Sequence, residues 1–183
     1  MNLNAQKEFR KLPQHEGRLV EDFGLDGDRH AGRSLRQVSL LNAETVHELA
    51  ARGMPVSPGI LGENLTVEGL PIMELTEGAR LRVGAEAELE ITGDRPACRE
   101  MLQIHRNCLK AMVGRSGKMA RVVKGGVIRP GDPVEVVGWS TDESRANAQV
   151  SVAPTLPEQG AARRPAGVTA QFGPPQPERL TVR

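Results

Sequence analysis

Glu86, Glu88 and Glu90 alternate with Ala87, Leu89 and Ile91. A strand satisfies this two-residue period and a helix does not, because successive strand side chains point to opposite faces. One face should be wet and the other packed. Arg80–Val83 comes just before, with Gly84 between, so the two runs read as a hairpin. Short apolar runs recur at Gln37–Leu41, Leu65–Val67, Met119–Val123 and Pro133–Val137, and the corners Gly125-Gly126 and Gly131-Asp132 suit tight turns. Asn42 is placed to cap a helix over about Ala43–Arg52 with Val46, Leu49 and Ala50 on one face, ended by Gly53. A second helix is expected from about Arg99 to Val113, where Met101, Leu102, His105, Leu109 and Met112 approximate a 3.6-residue period. These signals predict a mainly β, barrel-like domain with about two short α-helices. No GxGxxG turn supports a dinucleotide-binding sheet.

Composition narrows the function classes. Lys+Arg 24 against Asp+Glu 23 leaves a formal charge of +1 in 183 residues, so no global field attracts a polyanion. The aromatic residues are Phe9, Phe23, Trp139 and Phe172, too few for a base-stacking surface. Neither feature points to nucleic acid. No apolar run approaches the 18 residues of a membrane span, and Met1–Arg10 lacks a signal-peptide core. The expected setting is cytoplasmic and reducing, with Cys98 and Cys108 as free thiols. After Trp139 the composition changes: Pro154, Pro157, Pro165, Pro174, Pro175 and Pro177 interrupt any regular element. We therefore read residues 1–139 as one domain and 140–183 as a disordered or loosely attached tail.

Four local patterns carry polar chemistry. Gly24-Leu25-Asp26-Gly27-Asp28-Arg29-His30-Ala31-Gly32-Arg33, leading into Arg36, can present several donors to an anion, or can be a loop whose Asp28 and Arg29 satisfy its own backbone. In Pro58-Gly59-Ile60-Leu61-Gly62-Glu63-Asn64-Leu65, Asn64 can orient a ligand or stabilise a turn. In Thr92-Gly93-Asp94-Arg95-Pro96-Ala97-Cys98-Arg99 a thiol lies between two arginines ahead of a helix, a setting that favours the nucleophilic, metal-binding thiolate. Simple packing is the alternative for Cys98 and the better reading for Cys108. Ala120–Asp132 reads as strand, turn, strand. The four histidines show no zinc-ligand spacing, and there is no CxxC pair, GxSxG elbow or P-loop.

In this order and spacing the patterns resemble the MOSC domain, found at the C-terminus of molybdenum cofactor sulfurases and as small free-standing bacterial proteins. The resemblance runs from about Gly17 to Val137. It rests on GLDGDRHAG, RQVSLLNAET, PGILGENLTVEGL, the cysteine motif and ARVVKGGVIRPGDPVEV. It implies a β-barrel-like MOSC fold with the family cysteine at Cys98, which would carry sulfur as a persulfide or ligate molybdenum in a bound pterin cofactor. The family often places Pro directly before this cysteine, whereas here Ala97 follows Pro96. No site for pyridoxal phosphate is recognised, so any sulfur would come from a separate cysteine desulfurase.

Three functions follow as expectations. In the first, the chain binds molybdenum cofactor (molybdopterin) and reduces N-hydroxylated small molecules. Cys98 would be the metal ligand and reacting residue, and Arg29, His30, Arg33, Arg36, Asn64, Arg95 and Arg99 would hold the cofactor. A separate electron-donor protein would be needed. In the second, Cys98 passes persulfide sulfur to a maturing cofactor. In the third, the domain is structural and Cys98 is inert.

Overall fold

The computed structural model describes residues 1–4 and 8–140. The tail read for Ser140–Arg183 lies, apart from Ser140, outside the described residues. Eleven strands and two helices follow one another among the described residues. They are β1 (Asn2–Leu3), β2 (Leu12–Pro13), β3 (Gly17–Val20), β4 (Gly24–Leu25), β5 (Val38–Asn42), α1 (Ala43–Ala51), β6 (Leu65–Val67), β7 (Ala79–Val83), β8 (Ala87–Asp94), α2 (Cys108–Met112), β9 (Lys118–Lys124), β10 (Gly126–Ile128) and β11 (Val134–Trp139). Six strands in the order β11-β7-β8-β9-β5-β6 make a sheet that curls into a half-barrel, with a three-stranded sheet β10-β3-β4 and the short pair β1-β2 beside it. The fold is mainly β, as the sequence predicts. No helix among the described residues is long and apolar enough to cross a membrane.

The hairpin β7-β8 forms where it is expected, with Val83 opposite Ala87 across Gly84. Ala87, Leu89 and Ile91 are fully buried in the main core with Leu40, Leu65, Leu81 and Val122. The opposite face is not uniformly wet. Glu90 is buried, because Arg80 and Arg121 from the flanking strands reach it at 3.0 and 3.2 Å. Cross-strand cations can shelter a carboxylate in this way when they satisfy its oxygens.

The helical expectations need two corrections. Asn42 precedes α1 but makes no side-chain cap; its amide instead donates to the Leu70 carbonyl at 2.6 Å, and Ala50 is exposed. The stretch Arg99–Val113 is not one helix. It splits into a 3₁₀ turn, Arg99–Gln103, and the short α2. The break is local: Ile104 N–H bonds back three residues to Met101, and Asn107 N–H is taken by its neighbour's ring at His105 Nδ1. Tighter winding rotates the buried face, so Met101, Ile104, Cys108 and Met112 are buried while Leu102 is exposed. These residues form a second apolar cluster with Leu41, Val46, Leu49 and Leu61.

The N-terminal segment is docked onto this second cluster by glycines. Gly59 and Gly62 have positive φ of 86° and 81°. A Cβ at Gly59 would lie 2.4 Å from the Lys11 carbonyl oxygen, and one at Gly62 would lie 2.8 Å from the Phe9 ring. The Pro58–Gly62 motif thus makes the room that brings Phe9 and Lys11 against the domain.

Candidate functional site

Strand β8 delivers the site. Its register with β9 shifts between Ile91 and Gly93, an irregularity of the kind that re-aims a chain at a sheet's end. Beyond it the Arg95 N–H is held by the Gly117 carbonyl at 2.9 Å. Cys98 then occupies the position before the 3₁₀ turn, where its carbonyl accepts from Met101 N–H at 3.1 Å.

The electrostatics around Cys98 differ from the expectation. Flanking arginines and a helix N-terminus were expected to favour the thiolate, but the thiol is pushed up. Burial against the second cluster is the main cause, followed by the Glu100 carboxylate, which accepts its hydrogen bond; Arg95 and the Met101 N–H pull the other way less strongly. Glu100 is correspondingly held down, first by its own backbone N–H and then by the Cys98 thiol. Cys108 is fully buried, and its thiol is pushed up by burial and by the proximity of Cys98.

Arg95 is the cation the structure places with Cys98. Its Nη1 donates to the Ser116 carbonyl at 3.1 Å and its Nη2 to the Leu61 carbonyl. Neutral carbonyls fix the guanidinium without cancelling its charge. Burial lowers its pKa, the charges of Glu63 and Cys98 oppose that, and Arg36 adds repulsion. Glu63 is wholly buried: its Oε1 accepts from Gly59 N–H at 2.6 Å and Thr66 Oγ1 at 2.8 Å, and its Oε2 has no hydrogen-bond partner among the described residues.

The Gly24–Arg33 loop is organised by Asp28, which takes one main-chain N–H of the loop itself and bonds to Asn4 and Lys11 of the N-terminal segment. Asp28 is buried and accepts from His30 N–H at 3.0 Å, Asn4 N–H at 3.1 Å and Lys11 Nζ at 2.7 and 2.8 Å. Burial pushes its carboxyl up, but the bonds from His30 and the Lys11 ammonium outweigh that and hold it well below the ordinary range. Lys11 in turn is lowered by burial, with Asp28 opposing and Arg95 and Arg29 adding to the effect. His30 Nδ1 lies 3.3 Å from Asp28 Oδ1, and Arg29 donates to His30 Nε2 at 3.1 Å and to the Glu8 carbonyl at 3.0 Å.

The expected site residues therefore divide. Cys98, Arg95 and Arg36 lie within electrostatic reach of one another in sequence, Cys98 to Arg95 and Arg95 to Arg36, and Arg29 acts on Glu100. Arg33 and Arg99 are exposed, and nothing fixes their side chains among the described residues. Asn64 is committed elsewhere: its Oδ1 accepts from Ser39 N–H and Oγ, each at 3.0 Å, and its Nδ2 donates to the Asn2 carbonyl. Sequence reasoning missed Lys11, Glu63 and Glu100. Only Glu63 had a signal, its place in the Pro58–Leu65 motif; Lys11 reaches the site through long-range pairing that no local pattern announces.

Two clefts flank the Cys98 segment. The smaller, of about 320 Å³, is lined by Asp94, Arg95, Pro96, Ala97, Val113 and neighbours. The larger, of about 600 Å³, is lined by Glu8, Phe9, Arg10, Arg29, Glu100, Gln103 and Ile104. Among the described residues no group of three or more His, Cys, Asp or Glu could hold a bare metal ion.

A family model described as MOSC domain matches residues 27–135. Among solved structures, the chain is similar to the YuaD protein from Bacillus subtilis, with a TM-score of 0.63 at 22% identity over 72% of this chain and 89% of that one. YiiM from Geobacillus stearothermophilus gives a TM-score of 0.57 at 26% identity, over 71% of this chain and 65% of that one. YiiM from Escherichia coli gives 0.56 at 24% identity, over 72% and 66%. The chain thus spans about two thirds of the length of either YiiM structure. No curated protein matches.

Proposed function

The chain belongs to the MOSC domain family, and on that premise we propose that it holds molybdenum cofactor at Cys98 and reduces N-hydroxylated small molecules. MOSC domains are associated with that cofactor. One observation carries the reading: a half-buried thiol shares its surroundings with Arg95, a guanidinium pinned by two main-chain carbonyls that leave its charge uncancelled. A fixed guanidinium next to a reactive thiol is suited to an anion, and the pterin's phosphate is such an anion. Arg95 would hold it, with Arg29, Arg33, Arg36 and Arg99 on the exposed rim.

Cys98 would ligate through its thiolate. Glu100 disfavours that thiolate and Arg95 favours it, so the charge of a bound metal would have to draw the proton off the thiol. The cofactor, when bound, supplies the two-electron chemistry of N–O cleavage. The chain's own part is to anchor, to orient and to limit water on the apolar side formed by Ala97, Phe9 and Ile104. Electrons would come from a separate donor protein. The test is to purify the protein from a host that makes the cofactor, oxidise it, and look for the fluorescent pterin product, with reduction of an N-hydroxylated amidine by a dithionite-reduced dye as the activity readout. Pterin with activity supports the reading; pterin-free, inactive protein contradicts it.

A second reading, persulfide carriage, is favoured by the packing of Cys98 against that apolar cluster, which would shield a terminal sulfur. The Cys98 thiolate would attack the outer sulfur of a desulfurase persulfide, and the desulfurase thiolate would leave, with no net oxidation. Mass spectrometry of Cys98 after incubation with a desulfurase and cysteine reads this directly: a gain of one sulfur supports carriage.

A further inference from the structure

The residues ahead of the family-matched span do more than pack. Glu8, Phe9 and Arg10 form a wall of the larger cleft, with Arg29, Glu100 and Gln103 as its other polar residues. Phe9 is seated on Gly62 and shares the second apolar cluster with Cys98 and Ile104, which fixes this wall relative to the thiol. Lys11, bound to Asp28, fixes its other end. The polar groups in the cleft are not equally available. Arg29 is tied to the Glu8 carbonyl and His30, and Glu100 to the Cys98 thiol. The exposed Glu8 carboxylate and Arg10 guanidinium have no hydrogen-bond or ion-pair partner among the described residues. The wall therefore offers one free charge of each sign on either side of a packed aromatic residue.

We propose that Glu8, Phe9 and Arg10 are the specificity-determining wall of the Cys98 site, and that they select small dipolar molecules carrying a carboxylate and a cationic group. Arg10 takes the carboxylate with paired N–H donors. Glu8 faces the cation, and Phe9 bounds the apolar body between them. A simple anion meets Glu8 and a simple cation meets Arg10, so each gains from one contact and loses at the other. The inference rests on Cys98 as the reacting centre, but its test needs neither metal nor turnover.

The test measures the rate at which Cys98 is modified by three methanethiosulfonates, with sulfonatoethyl, methyl and trimethylammonioethyl groups. Each rate is divided by the same reagent's rate on free cysteine, and the modified residue is identified by peptide mapping. Ratios between reagents cancel differences in thiolate fraction. Arg10→Ala should slow the anionic reagent about three- to tenfold relative to the neutral one, and Glu8→Gln should slow the cationic reagent by a similar factor, as expected for one charge at close range in a wet site. In the unaltered protein, 4-aminobutyrate should protect Cys98 from the neutral reagent more than butyrate or butylamine does. Unchanged ratios in both variants, or equal protection by the three compounds, overturn the proposal. Both variants alter exposed side chains, so their folding is not at issue. A protein that binds no cofactor but shows both shifts in ratio and the stronger protection would sink the proposed function and leave the wall standing.

Discussion

Lys11 and Asp28 form an ion pair that is closed off from solvent, Nζ to Oδ2 at 2.7 Å with side chains 1% and 0% exposed. It joins the N-terminal segment to the loop that carries Arg29 and His30. The two partners feel it unequally. Asp28 collects further donors from His30 and Asn4, so its charge is favoured, whereas Lys11 has Asp28 to offset its burial and is repelled by the charges of Arg95 and Arg29. Such a pair fixes geometry more than it adds net stability, but breaking it strands a charge.

Lys11→Ala should therefore destabilise the protein by about 3–5 kcal/mol, the range for removing one partner of a buried pair. Lys11→Met should cost less if Asp28 can protonate or rely on its backbone donors. Urea denaturation of both variants checks this; a loss under about 1 kcal/mol for Lys11→Ala would mean that the pair behaves as a surface bridge.

Acid should release the same contact. The folded-state pKa of Asp28 is depressed, so its contribution is fully present above its ordinary carboxylate pKa and is lost as pH falls from there through the folded value. Stability of the Asp28→Asn variant should depend less on pH below about 4 than that of the unaltered protein. Parallel curves in that window would place the acid sensitivity elsewhere.

The thiol should respond to its two charged neighbours in opposite senses. Glu100 raises the Cys98 pKa and Arg95 lowers it. Glu100→Gln should shift the pH profile of iodoacetamide alkylation towards lower pH, and Arg95→Ala should shift it higher. Shifts in the same direction would contradict the assigned environment.

Gly62→Ala should cost about 1–2 kcal/mol from the left-handed backbone alone, and it should also displace Phe9 and speed alkylation of Cys98. Gly53→Ala is the control: φ is 80° there, but nothing lies within 4 Å. It should lose stability without changing the alkylation rate.

Much of the half-barrel was legible because its strands announce themselves locally. The Ala87-Leu89-Ile91 face and the Gly84 turn need only a two-residue period and a positive-φ glycine. The Arg99–Val113 region misled because buried residues at spacings of three and four suit one helix and equally a 3₁₀ turn followed by another helix. The polarity of the Cys98 site was misread for a related reason. The neighbours in sequence, Arg95 and Arg99, suggest a thiolate, yet burial against the second apolar cluster dominates. Lys11, held to Asp28 from 17 positions away, has no local signature at all.

The central claim is that Cys98 anchors molybdenum cofactor. It is tested most directly by the molybdenum content of the protein purified from a cofactor-making host, alongside Cys98→Ser and Cys108→Ser. The account predicts close to one molybdenum per chain, lost in Cys98→Ser and largely kept in Cys108→Ser. A metal-free unaltered protein, or molybdenum retained in Cys98→Ser, would contradict it.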